Sequence, residues 1–537
     1  MKILQVSPPA SPLVRDWLAG REPAASLYPG APGHSGRWGE VAQAVDDRFT
    51  RAGRERAASL LRGGGQEGPG RLERFVEEGG FMVTTGQQPV LLGGPLYVLY
   101  KALTAVALAS RMEEVLGRPV LPVFWVGADD HDWDEARRSW LLDTENEEVE
   151  LELPARPGPS PALYRIPLAQ GAELSQVLER LLRSLPDSDF APPWKKLLEA
   201  AWGPPQVTLS SGFSAQLQAL TQDAGLFVAH SHDPALRSAA RPLLEAELEG
   251  AAEAEAELQA RSRVLEEAGY PVQVAIAPGA TNLFLDGPRS RDRILRGEGS
   301  GFTLRGYEGR LSRRDLEGGE GTALTPNVLL RPVVEAYLFP TLAYVAGPGE
   351  AAYQAQIEPL FRRHGVVRPL VHPRLSAVVM ERKVEKVLQK HTLELEQLAT
   401  PFHELAGRLA REELPEGIRR ELGQFRGAVA RHTTELAREV AGLDPTLRDS
   451  VEQLRSNGFT GLAEVEKKVV QALKRENEIT LAQIAKAQLH LFPGGIPQER
   501  RMNPWYFLFR YGPAFLEQVL EQARSSVEAL QARTSSG

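Results

Sequence analysis

The stretch FMVTTGQQPVLLGGPLYVLY, from Phe81 to Tyr100, decides the fold. Its first residues, Phe81 to Thr85, are apolar or β-branched, which is typical of a strand buried on both faces of a parallel sheet. The remaining residues change from a polar loop to a second apolar run. We therefore interpret the stretch as the end of a core strand, a loop and the beginning of a helix.

The loop carries the groups that predict binding. Gly86 lets the backbone turn without a Cβ clash, and Gln87 and Gln88 place two amides at the tip. Gly94 and Pro95 then begin the helix, where proline is tolerated because no N–H is needed in the first turn. A helix N-terminus behind a glycine-bearing loop predicts a site for an anion.

A second apolar strand, VLPVFWVG at 120–127, runs directly into the acidic sequence ADDHDWDE at 128–135. Five carboxylates and one imidazole fall within seven residues of that sequence. In doubly wound sheets the ligand crevice lies outside the carboxyl ends of the strands, so both loops are predicted to face one crevice. Asp134 and Glu135 are expected to cap the helix that follows.

Composition narrows the functional classes. The chain has 537 residues, a formal charge of −8 and no cysteine. The charge argues against a nucleic-acid partner, and the lack of cysteine excludes disulfides and thiolate nucleophiles. No segment has the length or composition of a signal peptide or a membrane span, so we expect a cytoplasmic protein without a membrane partner.

Several segments between the two loops and the C-terminal third are assigned by local pattern. The glycines at 63–65 and 68–70 predict a flexible linker. Residues 236–268 predict one long helix, residues 273–276 and 282–285 a hairpin, and residues 366–371 the last core strand. In the sequence His230-Ser231-His232-Asp233 we favour a helix cap at Asp233 over a metal site.

Three further residues follow apolar strands or begin helices. Arg331 has the fork geometry to bind a carboxylate or a phosphate with two hydrogen bonds. Glu350 is placed at a helix N-terminus, where the dipole favours a carboxylate even without a function. Tyr353 is available for stacking or hydrogen-bond donation.

From residue 376 the pattern becomes helical. Val384, Leu388, His391, Leu395 and Leu398 recur at spacings of three and four, and a partner stretch is predicted around 465–479. Turn residues between them favour an antiparallel helical arm over one continuous rod. The aromatic tail after residue 491 is expected to return to the core.

The chain resembles the BshC family, the cysteine ligases of bacillithiol biosynthesis, over most of its length. The resemblance is carried by TGQQ (85–88), GGPLY (93–97), FWVGADDHDWDE (124–135), PNVLLRP (326–332), AYVAGPGEAAY (343–353) and NPWYFLFRYGPAFL (503–516). It implies an α/β fold with a Rossmann-like core similar to class I aminoacyl-tRNA synthetases and nucleotidylyl-transferases. The implied domains are a core at 1–375 with inserted connective subdomains at about 150–205 and 270–330, a long antiparallel coiled-coil arm at 376–490, and a C-terminal helical segment at 491–537.

The resemblance also implies an activity, the joining of cysteine to the amine of glucosaminyl malate. We expect ATP to activate the cysteine carboxylate, with Mg²⁺ as a possible further cofactor, and we expect a homodimer formed through the arm. His131 and Asp130 are the expected bases for the attacking amine. Gly86, Gly94 and Pro95 are assigned to the cofactor. The residues assigned to substrate binding are Gln87, Gln88, Tyr97, Asp129, Asp132, Asn282, Arg331, Glu350 and Tyr353.

Two alternatives remain open at this stage. The GPLY turn lacks the histidines of the synthetase loop, which would suit a non-catalytic nucleotide-binding scaffold. The set Asp129, His131 and Asp132 would suit a metal-dependent hydrolase. For Asn282, a turn asparagine competes with a ligand contact.

Overall fold

The computed structural model describes residues 1–168, 173–297, 301–305, 311, 316 and 321–535. They divide into two compact units. The core unit comprises Ile3–Val378 and Glu499–Gly537, and the arm unit comprises Met1–Lys2 and Val379–Gln498.

Short strands run through much of the chain. In chain order they are β1 Lys2–Gln5, β2 Arg62–Gly63, β3 Phe81–Gln87, β4 Val120–Val126, β5 Arg138–Leu142, β6 Glu148–Glu152, β7 Phe227–His230, β8 Ala280–Asp286, β9 Arg291–Arg296, β10 Phe302–Leu304, β11 Ala323–Pro326, β12 Thr341–Ala346, β13 Leu370–Pro373 and β14 Ala377–Met380.

Helices of seven residues or more surround the strands. Those before residue 378 are Pro12–Leu18, Trp38–Asp46, Arg51–Ser59, Gly68–Glu77, Leu96–Leu116, Glu173–Ser184, Ala191–Trp202, Leu209–Leu220, Pro234–Glu249, Ala251–Glu267, Arg331–Leu338 and Pro348–Gln354. Those after it are Arg382–Lys390, Phe402–Glu412, Glu416–Ala441, Leu447–Glu476, Glu478–Leu491, Trp505–Tyr511 and Ala514–Ser535.

The main sheet of the core has six strands in the order β13-β12-β3-β4-β7-β2. All neighbours are parallel except β2, which pairs antiparallel with β7 at one edge. Every residue of β4 and of β12 is buried, as expected for strands covered by helices on both faces. The strand order reverses between β3 and β12, which is the topological switch point of a Rossmann-like sheet. The predicted α/β fold is confirmed.

Four local predictions are wrong. Gly86 does not turn the chain, because it lies within β3 opposite Trp125. The strand predicted at 273–276 does not form, and 282–285 lies in β8, which pairs instead with β9 across the turn at 287–290. The helix predicted at 236–268 is two helices separated at Gly250. The last parallel strand is Leu370–Pro373 rather than 366–371.

The glycines predicted to form a linker are packed instead. Gly63 belongs to β2 at the sheet edge, and Gly68 begins a helix. Gly64 has a φ of +86°, and a Cβ there would overlap the ring of Phe227. Glycine is therefore required by close packing and by a left-handed backbone, not by flexibility.

The arm unit is helical, and the predicted antiparallel arm is confirmed. Glu416–Ala441 and Leu447–Glu476 pack along each other. The predicted seam partners are wrong, however. Arg382–Lys390 packs on Glu478–Leu491, while Val470 packs against Ala410 and Leu414.

The segment after residue 503 packs within the core unit. Trp505, Tyr506, Phe507 and Phe515 are buried, and the indole N–H of Trp505 donates to the Leu92 carbonyl. Helix Ala514–Ser535 packs on Leu96–Leu116. Among the described residues, no helix is both long and apolar enough to cross a membrane.

Candidate functional site

A cavity of about 450 Å³ opens at the carboxyl ends of β3, β4 and β12. It therefore lies at the switch point of the sheet, where ligands bind in folds of this class. Sequence-predicted residues make up much of its lining. Those that line it are Gly86, Gln87, Gln88, Tyr97, Asp129, Asp130, His131, Arg331, Glu350 and Tyr353.

Four predicted residues lie outside this lining. Asp132 accepts a hydrogen bond from the Glu135 N–H at 3.0 Å and is the N-cap of the short helix Trp133–Ala136. The predicted capping role of Asp134 and Glu135 thus belongs to Asp132. Gly94 and Pro95 are also remote from the cavity, because the N–H of Leu96, the first residue of their helix, donates to the Met502 carbonyl at 2.8 Å.

Asn282 is a buried strand residue rather than a turn residue. Its amide N–H donates to Glu247 at 2.8 Å, and its carbonyl oxygen accepts from the Asn327 amide at 3.0 Å. The Asn327 side chain in turn accepts hydrogen bonds from the N–H groups of Leu329 and Leu330. Asn282 therefore fixes Asn327, which does line the cavity, at the beginning of the helix that carries Arg331.

A buried ion pair joins two sides of the cavity. The Lys101 ammonium lies 2.5 Å from Glu350 and also donates to the Gly86 carbonyl and the Gln87 side chain, at 2.8 and 3.0 Å. Burial lowers the pKa of Lys101, against the opposing effect of Glu350. Burial would raise the pKa of Glu350, but Lys101 and Arg331 hold it below its ordinary value. The pair is therefore ionised at neutral pH and has no freedom to rotate.

Arg331 is held by three partners below the cavity. Its guanidinium donates to Glu335 at 3.1 Å, to the Tyr344 hydroxyl at 2.9 Å and to the Tyr353 hydroxyl at 3.1 Å. Burial raises the pKa of Tyr353 to about 12, so this hydroxyl stays protonated. Burial also raises the pKa of Glu335 to about 7, even though Arg331 opposes the shift.

His131 and Asp130 differ in what they offer a ligand. The Nη1 of Arg291 lies 3.4 Å from Nδ1 of His131, and because a guanidinium only donates, Nδ1 must accept. Burial and Arg291 lower the pKa of His131, so the neutral ring carries its proton on Nε2. Oδ1 of Asp130 accepts from the N–H groups of His131 and Asp132, and among the described residues no donor is bonded to its other oxygen.

Cations outnumber carboxylates in the lining, although the whole chain is acidic. The cations are Lys101, Arg291, Arg293, Arg331, Arg374 and Arg500, and the carboxylates are Asp129, Asp130 and Glu350. Sequence reasoning missed five of these cations. Lys101 had a detectable signal, a single charge within the apolar helix LYVLYKALTAVAL. The other four had none, since arginines are scattered throughout the chain.

The residues proposed for a metal do not converge. Among the residues that the structure describes, no three His, Asp or Glu side chains come together to hold a metal ion. Asp132 is turned to its helix and Asp129 lies 3.7 Å from Arg291. This geometry gives no support to the hydrolase alternative.

Two family models match the chain. The model described as "Bacillithiol biosynthesis BshC, N-terminal Rossmann-like domain" matches residues 1–375, and "Bacillithiol biosynthesis BshC, C-terminal coiled-coil domain" matches residues 377–529. These two descriptions agree with the parallel sheet of the core unit and with the antiparallel helices of the arm unit.

Curated relatives extend over most of the chain. A protein of Salinibacter ruber is 34% identical, over 86% of this chain and 84% of its own length. A protein of Symbiobacterium thermophilum is 32% identical, over 94% and 97%. Both are named "Putative cysteine ligase BshC". With both models matched in order and the relatives aligned over nearly their full lengths, the chain belongs to the BshC family of bacillithiol biosynthesis.

Proposed function

We propose that this protein joins the carboxylate of cysteine to the amine of glucosaminyl malate, forming bacillithiol, and that ATP drives the reaction. The observation that carries the proposal is the cation-rich cavity at the switch point of the sheet. Family membership supports the activity, since the relatives are named as cysteine ligases.

The charges of the lining suit these substrates. Cysteine has one carboxylate, glucosaminyl malate has two, and ATP brings a triphosphate, so every substrate is an anion in part. Lysine and arginine side chains are the usual partners of carboxylates and phosphates. The volume of about 450 Å³ falls within the range of small-molecule sites.

ATP would supply the activation that a carboxylate needs before an amine can attack it. The arginines of the lining would hold its phosphates, and Asp129 and Asp130 offer carboxylate oxygens of the kind that Mg²⁺ prefers. Gln87, held by Lys101, and Gln88 present amides to the same space.

The attacking amine must lose a proton. Asp130 supports this role better than His131 because one of its carboxylate oxygens has no donor among the described residues. His131 instead offers an Nε2–H, which would orient an oxygen of a substrate. We therefore assign proton acceptance to Asp130 and hydrogen-bond donation to His131.

The test is mass spectrometry of a reaction containing the purified protein, cysteine, glucosaminyl malate and ATP. The proposal predicts the thiol product together with AMP or ADP, and no product when any one substrate is left out. A folded protein that forms no product and turns over no nucleotide would refute the proposal and favour the scaffold alternative.

The protein is further proposed to form a homodimer through the arm. An apolar groove of about 570 Å³ lies between helices Glu416–Ala441 and Leu447–Glu476. Its lining includes Phe425 and Val465, which are 60% and 51% exposed. Exposed apolar surface of this kind marks interaction sites. ATP and cysteine are both available in the cytoplasm, where we place the reaction.

A further inference from the structure

Arg500 lies in a short segment that is fixed on both sides. Immediately before it, the Glu499 carboxylate is buried and forms a two-pronged ion pair with Arg374, at 3.0 and 2.7 Å. Immediately after it, Arg501 lies 2.5 Å from Glu148 and stacks over the Trp140 ring. The backbone at Arg500 is therefore held by contacts that do not involve its own side chain.

The next two residues fasten the segment to the core. The Met502 carbonyl accepts the N–H of Leu96, and the Asn503 N–H donates to the Trp140 carbonyl, both at 2.8 Å. The Asn503 amide also donates to Ser139 at 3.0 Å. Such anchoring positions one side chain reproducibly, which is what a binding residue requires.

The Arg500 side chain itself is exposed and lines the cavity. Its guanidinium carbon lies 5.9 Å from the centre of the Tyr97 ring, and Arg374 lies 5.4 Å from the same ring. Within the part of the chain that the structure describes, Arg500 forms no ion pair and no hydrogen bond to a side chain.

The contrast with the neighbouring cations is direct. Arg374 is occupied by Glu499, and Arg331 by Glu335 and two tyrosines. The donors of Arg500 are uncommitted, and they face the cavity that holds the predicted substrates. The planar fork of a guanidinium fits a carboxylate or a phosphate with two parallel hydrogen bonds.

We propose that Arg500 binds an oxyanion, a carboxylate or a phosphate, of one substrate in the cavity. The inference rests on the proposed function for the identity of the substrates. Tyr97 supports the guanidinium from one face, which leaves its edge free for the anion. Arg500 is thereby a specificity residue supplied by the chain segment that follows the arm.

The kinetic test compares R500Q with R500K. R500Q is expected to raise KM for one substrate by about tenfold to a hundredfold, which corresponds to a hydrogen bond to a charged group. R500K should retain part of the affinity because it keeps the charge but loses the fork. R524Q, an exposed arginine on helix Ala514–Ser535, is the control for loss of one charge and should leave every KM unchanged.

A binding measurement separates this proposal from the proposed function. Isothermal titration of wild type and R500Q with malate, cysteine and pyrophosphate needs no turnover, and the probe whose affinity falls identifies a carboxylate or a phosphate as the bound group. Loss of at least one of these affinities in R500Q supports the proposal even if no bacillithiol forms. Equal affinities in the two proteins, or no binding of any probe to wild type, would overturn it.

Discussion

Lys101 connects the two halves of the sheet beneath the cavity. Its ammonium has three oxygen partners, from Gly86 and Gln87 on one side of the switch point and Glu350 on the other. A buried lysine is tolerated only when its charge is paired and its N–H groups are satisfied. The Gln87 amide is consequently presented to ligands in one orientation.

The proton-acceptor role of Asp130 predicts the effect of one atom. D130N keeps an oxygen that can accept the N–H groups of His131 and Asp132, but it removes the base. We expect kcat to fall by about 10²- to 10⁴-fold, with smaller changes in KM.

The matched variant is H131Q, which retains an N–H donor and should lower kcat less than D130N does. Both rates are measured by mass spectrometry of the thiol product at saturating substrates. A larger loss in H131Q than in D130N would reverse the two assignments.

Glu335 predicts a pH dependence of stability. Burial raises its pKa in the folded protein to about 7, from an ordinary value of 4.5, so the folded state binds this proton more tightly than the unfolded state. The resulting stability is fully present below about pH 4.5 and is lost as the pH rises through 7. The free energy of unfolding should fall by about 3 kcal/mol over this range because of this group alone.

The variant E335Q mimics the protonated carboxyl and should lack that part of the pH dependence. Urea unfolding of both proteins at pH 5 and pH 8 measures the difference. If the stability of wild type relative to E335Q is the same at both pH values, Glu335 does not titrate as proposed.

Single residues were predictable where the sequence is unusual. The acidic cluster after β4 and the amides after β3 were found because they follow buried strands, and most of them line the cavity. Asn282 and Asp132 were placed by pattern near ligands, but their side chains are taken up by Asn327 and by a helix cap. Such local competition for hydrogen bonds depends on tertiary neighbours, which the sequence does not display.

At the scale of elements, the glycines at the sheet edge are structural. Gly64 combines a φ of +86° with direct contact to Phe227, so G64A should destabilise the protein by about 1–3 kcal/mol. Gly70 lies exposed in the following helix with no atom near its missing Cβ. G70A should therefore leave stability unchanged or raise it by about 0.5–1 kcal/mol.

Thermal or urea unfolding of the two alanine variants compares them under identical conditions. Equal stabilities of G64A and G70A would mean that the glycine segment is the flexible linker that composition alone predicts. The contrast thus tests whether β2 is an integral strand of the sheet.

Elements with strong periodicity were predicted well, and those that depend on pairing were not. The strands β3 and β4 follow from apolar runs, and the arm follows from helical spacing. The partner of β8 could not be chosen locally, because apolar residues flank it on both sides in the sequence. Pairing with β9 depends on the short turn at 287–290, and the seam partners in the arm depend on which helices lie adjacent.

At the scale of the whole molecule, charge is distributed unevenly. The chain carries a formal charge of −8, yet its cavity is lined by more cations than carboxylates. A cationic cleft raises the local concentration of anionic ligands, and the effect declines as salt screens it. Net charge alone therefore concealed the character of the site.

The proposed homodimer predicts a change of mass on one substitution. F425D places a charge in the apolar groove of the arm and should convert a dimer to a monomer in size-exclusion chromatography with light scattering. L443D is the control, since Leu443 is 85% exposed but does not line the groove. A monomeric wild type, or a dimer that persists in F425D, would contradict the proposal.

The most direct measurement of the central claim follows the oxygen atoms of cysteine. In a reaction with cysteine labelled by ¹⁸O in both carboxylate oxygens, ATP-driven activation predicts one label in the amide of the thiol product and one in the released AMP or inorganic phosphate. Product that forms while AMP and phosphate stay unlabelled would contradict activation by ATP, and the absence of product would contradict ligation itself.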